Sequence, residues 1–157
     1  MSEITHVPAK LLYGTLNKGP SSFNVEEGSG AQFASDSWHA FIDKLIAHGV
    51  PLDQKQFGVS WPADNQVPPQ EIYYFCGVEY GANYEDFEQL KVEGGNYFAY
   101  ACKVPQQNLD QGFQEAYMVA LPASGLTPRE GQHLEIYGSE YDPNSPIARF
   151  RILIPVQ

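Results

Sequence analysis

The order of punctuated segments constrains this chain more than its composition does. A strand-like run, a helical run and two further strand-like runs follow one another, and that order occurs twice. In the first passage an apolar run at Leu11-Leu12-Tyr13, within residues 4–16, is closed by Lys18-Gly19-Pro20 and reads as a strand and a turn. Residues 17–34 are crowded with Gly, Pro and Ser and read as a long loop, of the kind that serves as a lid or an insertion. Trp38, Phe41, Ile42, Leu45 and Ile46 then recur on one helix face, with Ser35 or Asp36 as cap, Gly49 as terminator and Pro51 beyond. Strands are expected at residues 56–61 and 72–80, joined by a turn rich in Pro, Asp and Asn.

The second passage follows an acidic stretch, residues 81–94, which reads as a connector. Gly94-Gly95 opens a strand over residues 96–104, and Asn108 with Gln111 suits a capping box. Leu109, Phe113, Ala116, Tyr117 and Ala120 repeat at helical spacing up to Pro122 and Gly125, and strands at 132–140 and 147–155 complete the order. Counting on from Gly49 and Gly125 sets Val59 against Glu135 and Trp61 against Tyr137. The expected fold is α+β: a tandem βαββ pseudo-repeat with an antiparallel sheet and two main helices, forming one domain over residues 1–157, with repeats at about 4–80 and 95–157. Such an arrangement places a ligand cleft between the repeats, a favoured position for a small-molecule site.

Charge narrows the partners. Nine Lys and Arg stand against 19 Asp and Glu, a formal net charge of −10, which disfavours direct nucleic-acid binding because phosphates need clustered basic residues. No basic segment leads into an apolar run at the N-terminus, and no stretch reaches the roughly 20 apolar residues of a membrane span. Cys76 and Cys102 lie in aromatic-rich apolar runs and read as buried free thiols. A soluble, cytoplasmic protein without a cofactor is the expectation.

Glu135 carries the sharpest chemical signal. In His133-Leu134-Glu135-Ile136-Tyr137, period two puts His133, Glu135 and Tyr137 on one strand face. That face is either a solvated strand surface or the floor of an aromatic pocket. In the second case a buried carboxylate demands a partner, and a ligand cation among Tyr and Trp rings would supply one. Trp61 is a candidate wall or a packing residue, Trp38 a pocket or core residue, and Tyr97 and Phe150 are divided in the same way. His6, His39, His48 and His133 show no metal-ligand spacing; His133 with Glu135 lacks a third ligand. Gly58-Val59-Ser60-Trp61-Pro62 fails the nucleophile-elbow pattern at its last place.

Three segments together resemble a known family. Gly94-Gly95-Asn96-Tyr97-Phe98-Ala99 is similar to a Gly-Gly-x-Tyr-Ala strand opening, Leu134-Glu135-Ile136-Tyr137 to a Phe-Glu-Ile-Tyr strand, and Ala63-Asp64-Asn65-Gln66-Val67-Pro68-Pro69-Gln70 to an Asp-Asn-Pro-x-x-x-Pro loop. These are motifs of the GyrI-like small-molecule-binding domain, also the effector-binding part of AraC-type and MerR-type multidrug regulators. The resemblance implies the tandem βαββ fold, a ligand cleft and a pocket glutamate at Glu135 beside Tyr137, with Tyr97 matching a family tyrosine. Lipophilic organic cations held among aromatic rings are the implied ligands. Trp38, Trp61 and Phe150 fall in pocket-bordering elements and match no fixed motif residue. No helix-turn-helix precedes residue 35, so a stand-alone member rather than a transcription regulator is expected.

Three functions are therefore in play. The first is capture of an aromatic, cationic small molecule through Glu135, Tyr137, Trp61, Tyr97, Trp38 and Phe150. A second is hydrolysis of reactive cyclopropane-type toxins, with Glu135 acting on water near Tyr137. The third is docking onto a topoisomerase subunit, as in gyrase-inhibiting family members, for which the acidic segment 79–93 is the only hint.

Overall fold

Alternating burial along the strands sets the architecture. In a computed structural model that describes residues 2–21, 29–79 and 86–157, eight strands and two helical segments form an α+β fold. The strands are β1 (Ser2–Val7), β2 (Lys10–Pro20), β3 (Gln56–Pro62), β4 (Glu71–Val78), β5 (Glu88–Val92), β6 (Gly95–Pro105), β7 (His133–Tyr137) and β8 (Ile147–Pro155). Helix α1 spans Ser29–Ala47; the second helical segment runs through α2 (Asp110–Gln114), a π-helical turn at Glu115–Ala120 and α3 (Leu121–Ser124). Two compact units result: Leu11–Lys91, and Val92–Gln157 together with the residues up to Lys10.

In the first of these units the strand order is β3-β4-β2-β5. Tyr74, Cys76 and Val78 of β4 meet Phe41 and Leu45 of α1 in a buried core. The alternate residues Phe57, Val59 and Phe75 are buried on the face away from the helix. Gly14 stands opposite Gly77 in the β2–β4 ladder, where a side chain would run into the Cys76 carbonyl oxygen. Glycine is required there for close backbone approach.

The other unit has the order β1-β6-β8-β7, all antiparallel. Phe98, Cys102, Val104, Phe150, Ile152 and Ile154 form the sheet side of its core and receive Ala116 and Leu121 from the helical segment. Pro122 accounts for the π turn. It has no N–H for the Met118 carbonyl, and its ring crowds that carbonyl, so the helix widens over the preceding residues. Gly125, at φ +73°, ends the segment in the left-handed region.

Several expectations are corrected. Residues 4–16 are not one strand: Pro8 separates β1 from β2, and β1 pairs with β6 rather than with its neighbour in sequence. Helix α1 starts at Ser29, so Ser35 and Asp36 are interior. Asp36 accepts a hydrogen bond from Gln32 one turn earlier, and Phe33 extends the apolar stripe to Tyr74, with ring centroids 6.2 Å apart. Residues 17–20 and 29–34 are thus strand and helix; residues 22–28 of that expected loop lie outside the described residues, as do residues 81–85 of the connector and residue 80 of the expected strand. The connector's later half is β5. No capping box forms at Asn108: Gln111 donates its side-chain amide to Glu115 instead.

Candidate functional site

The register of β6, β8 and β7 decides what surrounds Glu135. Glu135 stands opposite Ile152, which stands opposite Tyr100; one step along, Phe150 stands opposite Cys102. These residues therefore share one face of the sheet, the face that the helical segment covers. Lys103, Arg149 and Arg151, the basic residues of β6 and β8, all occupy alternate positions and belong to the opposite face. The strands thus segregate their positive charge away from Glu135.

Glu135 is 8% exposed. Its Oε1 accepts a 2.8 Å hydrogen bond from the Tyr137 hydroxyl. The Tyr137 ring stacks on Phe150 with centroids 5.1 Å apart and meets Tyr141 edge-on at 4.9 Å. Phe113 of α2 packs on the same Phe150 at 6.0 Å. From the π turn, the Tyr117 hydroxyl shares a 2.7 Å hydrogen bond with His133 Nδ1, and the two rings stack at 5.7 Å. Glu115, also from the π turn, accepts from the Tyr100 hydroxyl and from Gln111.

The titrations on this face describe a negative, dry environment. Burial, then the charges of Glu115 and Glu135, push the Cys102 thiol up to about 12. Burial, then Glu135, raise the Tyr117 phenol. Tyr100 is raised by burial and then by its hydrogen bond to Glu115. His133, which would be the nearest source of positive charge on β7, is held down at about 4 by burial and by Arg129, and is neutral at physiological pH. Two carboxylates and a ring of aromatic side chains thus share a face without a basic side chain from the strands.

Of the residues singled out by sequence, the structure brings Glu135, Tyr137 and Phe150 together. Tyr97 lies in the same unit on the other sheet face, buried, beneath the Arg129 guanidinium at 5.3 Å. Arg129 is committed there, donating to the carbonyls of Val156, Asn96 and Glu130. Trp38 and Trp61 belong to the Leu11–Lys91 unit. Trp38 donates to the Tyr74 hydroxyl at 2.7 Å in the core beneath α1, and Trp61 stacks on Tyr73 at 5.6 Å on the other face of that sheet. The equivalence of Trp61 with Tyr137, and of Val59 with Glu135, is therefore corrected: Tyr137 and Glu135 face the helix of their unit, whereas Trp61 and Val59 face away from the helix of theirs. A count that is off by one reverses the face. Sequence reasoning missed Tyr100, Glu115 and Tyr141 as neighbours of this group. The period-two pattern of β6 pointed to Tyr100 as a companion of Cys102, but only the pairing register carries it to Glu135.

Among the described residues no group of three His, Cys, Asp or Glu side chains is arranged to hold a metal ion, and no helix is long and apolar enough to cross a membrane. The sequence profile of the GyrI-like small molecule binding domain matches residues 1–157. The chain belongs to that family. No curated protein sequence matches this GyrI-like chain. Its fold is similar to that of SAV2435 bound to tetraphenylphosphonium, with a TM-score of 0.74 and 14% identity over 100% of this chain and 94% of that one. It is also similar to EcmrR in a DNA complex, at TM-score 0.60 and 14% identity, covering 100% of this chain and 57% of EcmrR. A hydrolase encoded by lin2189 of Listeria innocua shares the fold at TM-score 0.53 and 14% identity, over 99% of this chain and 91% of that one. At such identities the likeness is one of fold, and the GyrI-like face around Glu135 has to speak for itself.

Proposed function

We propose that this GyrI-like domain binds lipophilic, aromatic organic cations at the helix-covered face of its Val92–Gln157 unit, with Glu135 as the charge partner and Tyr137 and Phe150 as the apolar wall. One observation carries the reading: a buried carboxylate is hydrogen-bonded and ring-lined on a sheet face to which β6, β7 and β8 contribute no cationic side chain. An ionised carboxylate in such surroundings favours a positive guest, and ring faces add about 0.5–2 kcal/mol by cation–π attraction. SAV2435 was solved with tetraphenylphosphonium, a cation sheathed in four phenyl rings, which is the same chemistry. Glu135, Tyr137 and Phe150 carry the proposal; Tyr97 faces the other way, and Trp38 and Trp61 have partners within their own unit. We also read β2, α1, β3, β4 and β6, α2, β7, β8 as two copies of one βαββ plan. Hydrolysis and docking onto a topoisomerase gain nothing from this geometry.

The test is calorimetric titration with tetraphenylphosphonium and the neutral triphenylphosphine oxide. Glu135→Gln keeps the shape and removes the charge; the cation is expected to lose at least about tenfold in affinity while the neutral compound is little changed. Equal losses for both compounds, or no binding of tetraphenylphosphonium by the native protein, would overturn the reading.

A further inference from the structure

His48 directly follows Ala47, the last residue of α1, and is held at both ring nitrogens. Nδ1 lies 2.9 Å from the Lys44 carbonyl oxygen one turn back, and Nε2 lies 2.9 Å from Asp86 Oδ2. Both partners only accept, since neither a carbonyl nor a carboxylate has a hydrogen to give. A neutral imidazole has one N–H and serves one of them; the imidazolium has two and serves both. Turning the ring over would set carbon atoms against both oxygens, so a flip does not remove the demand. The place suits a cation, because the last carbonyls of a helix carry partial negative charge. The Lys44 carbonyl bond, then the Asp86 bond, raise the imidazole above its ordinary 6.5, against lesser opposition from desolvation and from the Lys44 ammonium.

Asp86 and Phe87 lead directly into β5, which stands last in the strand order and has β2 as its one neighbour among the described strands. Phe87 is buried in one cluster with Phe41, Leu45 and Val50. The His48 ring meets it edge-on at 5.2 Å, and the Lys44 ammonium lies 5.0 Å over its ring. The end of α1 thus grips the entry to β5 by an apolar anchor and by the His48–Asp86 bond, and the second of these depends on a proton. We infer that His48 is a pH-sensitive fastener, which as imidazolium ties the entry of β5 to the C-terminus of α1 and on losing its proton lets that entry loosen. The bond that yields is the one to Asp86, whose side chain is 63% exposed and turns readily to water. Fastening is complete below the unfolded-chain value of 6.5 and is lost as pH rises through the higher folded-state titration. None of this involves Glu135 or its neighbours, so it stands apart from the proposed ligand site.

Two NMR measurements on the full chain test this. Long-range proton–nitrogen spectra of the imidazoles read charge and tautomer directly. Both His48 nitrogens are expected to be protonated at mildly acidic pH, with a titration above 6.5 that moves down toward 6.5 in Asp86→Ala. Amide hydrogen exchange across β5, corrected for its intrinsic pH dependence, is the second readout. Protection of these amides is expected to fall about threefold or more as native His48 loses its proton, while protection in β6 holds steady. In Asp86→Ala and in His48→Gln, β5 protection should sit at the lower level and no longer follow that titration. A native His48 that titrates at or below 6.5 overturns the imidazolium. Protection in β5 that ignores the native titration, or that falls with pH equally in native and variant proteins, overturns the fastener.

Discussion

The Tyr137 hydroxyl donates to Glu135 Oε1 across 2.8 Å, so two residues on one strand face are coupled by a side-chain bond as well as by the pleat. The bond holds the carboxylate in place, while stacking on Phe150 holds the tyrosine. Hydroxyl and ring therefore have separable contributions. Tyr137→Phe is expected to destabilise the protein by about 1.5–3 kcal/mol, the loss of one hydrogen bond to a carboxylate. Tyr137→Ala also removes the ring and should cost about 3–5 kcal/mol. Urea denaturation of the two variants checks this; equal losses would show that the hydroxyl, not the ring, carries the residue's contribution.

Stability should fall on mild acidification because of His133. Its folded-state titration near 4 lies below the ordinary imidazole value of 6.5. Between these pH values the unfolded chain takes up a proton that the folded protein refuses, so stability rises with pH across the window and is complete above it. The loss on descending from about pH 6.5 to 4 is at most about 3 kcal/mol from this group. Denaturant midpoints measured across that range should show the decline, and His133→Phe should flatten it. An unchanged slope in the variant would place the acid sensitivity elsewhere.

Alanine at Gly14 is expected to unfold or severely destabilise the Leu11–Lys91 unit, by roughly 3 kcal/mol or more, since the obstacle is the Cys76 backbone and not a side chain that could swing aside. The control is Gly49→Ala. Gly49 has nothing within contact distance of an added methyl and is opposed only by its φ of +68°. It should cost about 1 kcal/mol. Thermal denaturation followed by circular dichroism separates the two, and comparable losses would count against the close approach at Gly14.

The loop between β3 and β4 is organised by one carboxylate. Asp64 accepts backbone N–H groups from Gln66, Gln70 and Glu71 at 2.9–3.0 Å, which holds its carboxyl below the usual range, the Glu71 bond contributing most. A depressed carboxylate stabilises above its unfolded value and loses that effect as pH falls through the folded one. Asp64→Asn keeps one acceptor oxygen of two. Hydrogen exchange should then quicken at the amides of Gln66, Gln70 and Glu71 and stay unchanged in β6; uniform acceleration would point to global destabilisation instead.

How much of this was legible follows from the range of the interactions. The strand face of His133, Glu135 and Tyr137 is a local property of five residues, and period two finds it. The helix stripes of Phe41 and Leu45 and of Phe113 and Ala116 are local in the same sense. Tyr100 joins Glu135 only because Ile152 lies between them, and that register is written in no short stretch of sequence. The caps failed for two reasons: α1 already runs from Ser29, which leaves Ser35 and Asp36 in its interior, and the Gln111 side chain is engaged by Glu115 one turn on. Trp61 shows how sensitive parity is: one residue of miscounting moved it to the wrong side of its sheet.

The pairing of β1 with β6 has a bearing on how the protein is made. Ser2 meets Tyr100 and Val7 meets Gly95, so β1 leaves the ribosome long before its partners, which lie close to a hundred residues downstream. All strands of the Leu11–Lys91 unit are synthesised within that interval, and their contacts close over shorter loops. During translation β1 thus lacks its ladder until β6 emerges, and its neighbour Lys10–Pro20 can pair before it does. Birth order and docking order thus run opposite for β1 and β2, and a substitution that weakens the β1–β6 ladder would burden a step that follows closure of the Leu11–Lys91 unit.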